Sequence, residues 1–344
     1  MTLRVSETGT RDPLPSWNDG AAKFAVLDFV QRVSIEASPD FIRPADRMAA
    51  FSAAGTLWPE RPLAEAHLAL TRIQQTADRD PSLWSRQPFK AAFEGDLGYL
   101  ADAPLPAILE LIAQSHAGMS QEQFEAEVRA FVETALHPRL GVPYGDLAYP
   151  AMQELLGLLH ARGFLIWVCS GGTVELARLL AERFYEIPRH QIIGSVMAEE
   201  FRAARTMTSI WRRPQVETVN DYGAKPVAIA RHLGRRPLLA AGSLQCRGDL
   251  PMLRHSRARR GASCQLLIHH DDPERELAYD PGDDLMMEAA RKSGFVIVSM
   301  KRDWKQILGT NVRKIVIDAT QLAVPRAAIA LPAPILDQDG PGEA

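Results

Sequence analysis

Apolar and polar positions pass through distinct regimes along this chain. Residues 17–33 place Ala22, Phe24, Ala25, Leu27, Phe29, Val30 and Val33 at helical spacing, with Asn18 or Asp19 as the cap, which predicts a helix there. Asp28 lies inside it as Val-Leu-Asp-Phe-Val, where the spacing makes it a helix position and not the end of a strand. Met48-Ala-Ala-Phe51 is then a continuous apolar run, broken by Ser52-Ala53-Ala54 and followed by Gly55-Thr56. It reads as a buried strand running into a loop of small residues that a ligand could approach closely. Residues 60–149 have little strand character. Helical patterns cover 64–76, 89–100, 105–116 and 121–136, the last with Ser120 and Gln123 as a capping box.

From about residue 150 the pattern alternates. A helix over 151–162 precedes an apolar strand at 164–169, the turn Ser170-Gly171-Gly172-Thr173 and a helix over 174–184. Another strand is expected at 192–197, a short excursion over 198–219, and a helix starting beside Lys225-Pro226. A strand at 238–242 and a helix through Leu250, Met252 and Leu253 follow. Alternating strands and helices predict a parallel sheet covered on both faces. Residues 312–317 suggest one more strand, and from Val324 the chain is Ala- and Pro-rich.

Composition narrows the class without naming a function. The 344 residues allow two domains, or one with a large insertion. Lysines and arginines (39) nearly balance acids (42), so charge alone draws the chain to neither nucleic acid nor membrane. Arginines do cluster at 202–213, 231–236 and 254–260, which leaves an anionic partner as a minor reading beside a solvated surface. Cys169, Cys246 and Cys264 have no metal-ligand spacing and cannot all pair. Met1 to Asp19 is polar, with Pro13 and Pro15, and lacks an apolar signal core. The expected setting is cytoplasmic, with residues 1–16 as a flexible leader.

The turn at Ser170-Gly171-Gly172 is where chemistry is first expected. A strand running into Ser-Gly-Gly and a helix start presents backbone N–H groups and a helix dipole to an anion. Taken with Ser52-Ala-Ala-Gly-Thr-Leu-Trp58, it resembles the haloacid dehalogenase (HAD) superfamily in its phosphoserine-phosphatase-like branch. The first motif there reads Asp-x-Asp-Gly-Thr-Leu. Gly55, Thr56 and Leu57 match, while Ser52 and Ala54 stand at the two acid positions. Ser170 matches the second motif and Lys225 the third. The fourth motif, Gly-(Asp or Asn)-x-x-x-Asp, is met by Gly242-Ser-Leu-Gln-Cys-Arg-Gly-Asp249, with Ser243 at the first ligand and Asp249 two residues late. His269, His270 and Asp271 are read as structural, and Asp78-Arg79-Asp80 and Leu336-Asp-Gln-Asp-Gly340 as fortuitous matches.

The resemblance spans residues 17–308. It implies an α/β fold, with a HAD-like Rossmannoid parallel sheet core made of 48–59 plus 150–310. A helical C1-type cap is inserted at 60–149. Residues 1–47 would form a leader and helix, and 311–344 an extra strand and tail. It assigns phosphate binding to Thr56, Ser170, Gly171, Gly172 and Lys225. An active relative attacks phosphorus with the first Asp, moves protons with the second and holds Mg²⁺ between acids. Ser52, Ala54 and Ser243 remove those groups. The resulting expectation is a pseudophosphatase, a binding or regulatory subunit with a protein partner or phosphorylated ligand and no cofactor. The alternative is a divergent phosphomonoester hydrolase with a relocated carboxylate, Asp249 or Asp221. Only under that alternative does Mg²⁺ enter, with Asp249 as the candidate ligand.

Overall fold

Helix α1 (Ala21–Ser34) buries Val26, Phe29, Val30 and Val33 and leaves Asp28 outside, paired with Arg32. Its cap is Gly20 and not Asn18 or Asp19. Asn18 donates its side-chain amide to the Arg302 carbonyl, and Asp19 is drawn to Lys23. Strand β1 (Met48–Phe51) leads into a run of helices: α2 (Ala64–Thr76), α3 (Phe89–Glu94), α4 (Leu97–Asp102), α5 (Leu105–Ser115) and α6 (Gln121–Thr134). The helix expected over 89–100 is broken in two at Gly95, which takes the left-handed conformation after α3. The capping box of Ser120 and Gln123 is present at α6.

Next come α7 (Pro150–Ala161), β2 (Leu165–Thr173), α8 (Val174–Tyr185), β3 (Ile192–Ala204) and β4 (Met207–Thr218). The chain continues through α9 (Ala224–Leu233), β5 (Leu239–Ser243), α10 (Asp249–Arg257) and β6 (Cys264–His269). The described elements end with α11 (Asp284–Ser293), β7 (Val296–Ser299) and α12 (Met300–Asp303). The structure, a computed structural model, describes residues 12–61, 63–76, 81–204, 207–243, 248–278 and 284–309. The acid pairs at 78–80 and 336–340, the strand expected at 312–317, the tail, Cys246 and Arg247 lie outside the described residues.

One seven-stranded sheet runs in the order β4-β3-β2-β1-β5-β6-β7. All pairs are parallel except β3 with β4. Residues on β1 alternate between two apolar layers. Ala49 and Phe51 join the main core with Val26, Phe29 and Leu155, while Ala50 faces Ile229, Leu233 and Met252 of α9 and α10. Helices cover both faces, and so the central strands read as unbroken apolar runs.

The helical insertion between β1 and α7 is in two parts. Ala69, Ile73, Phe89, Leu100 and Leu111, from α2 to α5, form a small core of their own. Phe124, Val128, Phe131 and Val132 of α6 instead join the main core. The region expected to hold a short excursion is a long hairpin: β3 and β4 pair from Val196↔Thr218 to Ala204↔Met207 and pack against α5. Its Arg212 is fully buried, with Nη1 donating to Glu175 Oε1 of α8 at 2.7 Å and the guanidinium over the Phe124 ring at 4.3 Å. Among the described residues no helix is long and apolar enough to cross a membrane.

Candidate functional site

The parallel register gathers the loops. Phe51 pairs with Val168 on one side and Ala241 on the other, so Ser52, Cys169-Ser170 and Gly242-Ser243 leave the sheet side by side at its C-terminal edge. In an open α/β sheet that edge is where ligands bind. The turn after β1 is tight: Gly55 takes φ +75, and a Cβ there would meet Glu60 Oε2 and Ser243 Oγ at 2.8 Å. Only glycine adopts that backbone without strain and leaves room for both neighbours.

Lys225 enters from the start of α9 and is fully buried. Its Nζ donates to Ser52 Oγ at 3.2 Å and to Asp249 Oδ1 in a close ion pair. Asp249 is equally buried, and its Oδ2 accepts from the Ser243 N–H at 2.8 Å. Although it lies two residues late, Asp249 reaches the lysine because it opens α10 and packs directly against Gly242. Thr56, in the turn after β1, is buried with its hydroxyl unpaired among the described residues.

The motif around Ser170 is also engaged. The Gly172 N–H donates to Ser170 Oγ at 3.1 Å, and Asn220 Nδ2 donates to the Ser170 carbonyl at 2.8 Å. Asp221 packs against Gly171 and Gly248 and accepts from the Tyr222 N–H at 2.8 Å. Burial pushes its carboxyl above the usual carboxylate range, with Lys225 pulling the other way. Beneath the site, burial pushes the Cys169 thiol up to about 11, which leaves it a thiol and not a nucleophile.

His270 holds the first loop from the far side. Its ring is buried, with Nε2 at 2.7 Å from the Gly55 carbonyl and Nδ1 at 2.7 Å from Glu276 Oε2. Tyr149 donates its hydroxyl to Glu276 Oε1 at 2.6 Å. Burial opposes a charge on the ring, but the Glu276 carboxylate and the Gly55 carbonyl outweigh it and raise the pKa. With an acceptor at each nitrogen, the protonated ring satisfies both. His270 is thus a pin for the turn after β1.

A family model described as haloacid dehalogenase-like hydrolase matches residues 49–254. The chain belongs to that family. No curated protein matches it. Among solved structures, this HAD chain is similar to a functionally unknown protein from Anaerococcus prevotii DSM 20548. The identity is 12%, over 84% of this chain and 94% of the other, with a TM-score of 0.54. That likeness shows a shared fold. A protein of unknown function from Bordetella pertussis Tohama I is similar at 16% identity over 73% of this chain and 98% of its own, TM-score 0.47. A phosphoserine phosphohydrolase-like protein from Francisella tularensis subsp. tularensis SCHU S4 is similar at 16% identity over 65% and 88%, TM-score 0.35.

The donor set does not fit the Mg²⁺ that the HAD family implies. Around the turn after β1 it offers the neutral hydroxyls of Ser52 and Ser243 and a single carboxylate, Glu60, while Ala54 offers nothing. Asp249 has both oxygens taken by Lys225 and the Ser243 N–H, and an ammonium lies at the Ser52 hydroxyl. A hard dication needs several anionic or carbonyl oxygens free to converge on it. Among the described residues no group of three or more His, Cys, Asp and Glu side chains could hold a metal.

Of the residues singled out in the sequence, Ser52, Lys225 and Asp249 are thus in direct contact, and Ser170, Gly171 and Gly172 stand on the neighbouring strand end. One acid escaped the sequence reading. Glu65, on the first turn of α2, accepts from the Thr173 N–H at 2.8 Å. Nothing in the chain marks this contact, because it joins residues 108 positions apart on a helix that otherwise shows ordinary polar spacing.

Proposed function

We propose that this HAD-fold chain is a pseudophosphatase: a binding or regulatory subunit whose ligand is a phosphorylated molecule or a phosphorylated partner protein. The observation that supports it most is the hydrogen bond from Lys225 to Ser52. Where an aspartyl-phosphate enzyme has a carboxylate, this chain has a hydroxyl facing an ammonium that is already paired with buried Asp249. A serine attacks only when a base accepts its proton. An ammonium held by a carboxylate is a proton donor in that position, and Ala54 moves no proton at all. General acid–base help is worth on the order of 10² to 10⁴ in rate. Here it is lost together with the nucleophile and the metal ligands.

The anion-receiving half is better equipped. Thr56, Ser170, the N–H groups at Gly171 and Gly172, and Lys225 are the groups proposed to receive a phosphoryl dianion without metal. The helical insertion over 60–149 would serve as a cap that shields this edge and selects the ligand. The unpaired, buried thiols of Cys169 and Cys264 support a cytoplasmic setting.

Asp221 supports a second reading. It is an acid with a raised pKa, packed against Gly171, and a relocated general base for a divergent phosphohydrolase would look like this. An assay on p-nitrophenyl phosphate with Mg²⁺ or EDTA separates the two readings. We expect no turnover above background in either condition. Turnover abolished by Asp221→Asn would replace the pseudophosphatase with the hydrolase.

A further inference from the structure

Helix α8 starts at Val174 with Thr173 as its N-cap, and the donors at its N-terminus are those an external anion would use. One of them, the Thr173 N–H, is already in use. Glu65 reaches across from α2, its Oε2 accepts from the Thr173 N–H at 2.8 Å, and it lies so close to Gly172 that a Cβ there would collide with it. Gly172 is therefore the cradle of a carboxylate. The Thr173 hydroxyl, 2% exposed, faces the same carboxylate without reaching hydrogen-bond geometry. Glu65 Oε1 is shut off from solvent and has no partner among the described residues. Burial pushes the Glu65 carboxyl upward and Glu175 adds to this, while the Thr173 donors and Arg212 oppose it.

A buried carboxylate with so few partners is costly to hold in this way. One of its two oxygens has no partner among the described residues, and buried charge is costly unless paired. A tetrahedral oxyanion at the same place would find the Thr173 N–H, the Thr173 hydroxyl and the α8 dipole together. We propose that Glu65 is an internal stand-in for the anionic ligand: it plugs the Ser170-Gly171-Gly172-Thr173 cradle in the resting protein, and a phosphoryl group binds by displacing it. This inference rests on the reading that the cradle receives an anion. The start of α2 must turn aside for the exchange, so ligand binding and the position of the helical insertion become one equilibrium. The affinity measured for a phosphoryl group is then lowered by the fraction of molecules in which Glu65 has left.

Calorimetric titration of inorganic phosphate into the full chain tests it, on the unmodified protein, Glu65→Ala and Glu65→Gln, each shown to be folded by its thermal melt. Glu65→Gln keeps an acceptor for the Thr173 N–H, so it remains informative should Glu65→Ala fail to fold. Phosphate should bind Glu65→Ala at least tenfold more tightly than the unmodified chain and Glu65→Gln by a smaller factor. Adding Ser170→Ala should cancel the gain. Phosphate affinity unchanged by either Glu65 substitution, yet weakened by Ser170→Ala with Lys225→Ala, would overturn the plug and leave the anion site standing. A gain that survives Ser170→Ala would also overturn it. No phosphate binding in any folded variant would remove the anion-binding reading itself, and the plug with it.

Discussion

Lys225 carries a formal charge out of reach of bulk solvent, and Asp249 is what makes that tolerable. Both side chains are essentially inaccessible, and each has a further hydrogen bond, Lys225 to Ser52 and Asp249 from the Ser243 N–H. Such a pair contributes little by itself, because desolvation offsets the attraction, but breaking it strands a buried charge. Asp249→Ala or Lys225→Met should therefore cost about 3–5 kcal/mol, and the double variant clearly less than the sum. Urea unfolding of the three variants measures this, and additive costs would mean the two groups do not act as a pair. At this scale the sequence was partly legible. Ser52, Ser170, Lys225 and Asp249 could be singled out because their spacing follows a known order of motifs. That Asp249 would spend both oxygens on Lys225 and Ser243, or that Glu65 would reach Thr173, depends on side-chain directions across elements far apart in the chain.

The loop after β6 fixes the turn after β1, and the contact between these two elements runs through one titrating ring. His270 bridges Gly55 and Glu276 with a raised pKa. A raised folded pKa means that the stabilisation is fully present below the unfolded value of about 6.5 and is lost as pH rises through the folded value. The stability gap between the unmodified chain and His270→Gln should be widest near pH 6 and should shrink toward pH 9. Paired urea titrations across that range check it, and a gap independent of pH would mean that the ring works only as a neutral spacer. The β3–β4 hairpin shows why elements are harder to read than motifs. Residues 198–218 mix glutamates, arginines and small residues, because most of the hairpin stands clear of the core and needs no apolar face. Among the described residues of 198–218 the one deeply buried side chain is Arg212, which a pattern of apolar positions cannot flag. Strands β1, β2, β5 and the first half of β3, with α2, α5, α6, α7 and α8, were legible because each buries a regular apolar stripe or run, whereas β4, β6 and β7 were not read as strands.

Across the whole molecule, the balance of charge at the strand ends decides how stability responds to a metal. In an active relative, acids crowded around one turn repel one another until Mg²⁺ arrives. Here Ser52, Ala54 and Ser243 stand at the acid positions, buried Lys225 is paired with Asp249, and the acids left nearby are Glu60 at the turn and Asp221 against Gly171. A ligand stabilises only the state that binds it, by an amount set by its concentration over its dissociation constant. With no fitting donor set, the melting temperature of the unmodified chain should not move when Mg²⁺ replaces EDTA. Writing acids back should change this. Asp at 52 would lie where Lys225 now donates to the serine, and would compete with Asp249 for the same ammonium. Asp at 54 would add a second carboxylate to the turn pinned at Gly55, whose open space is already bounded by Glu60 and Ser243. Ser52→Asp with Ala54→Asp should therefore cost about 1–3 kcal/mol in EDTA, in the usual range for unpaired charge at a buried site. Mg²⁺ should restore part of that loss in the double variant while leaving the unmodified chain unchanged. Thermal melts of both proteins with and without Mg²⁺ decide it, and a rise of several degrees in the unmodified chain would show a working metal site and end the pseudophosphatase reading.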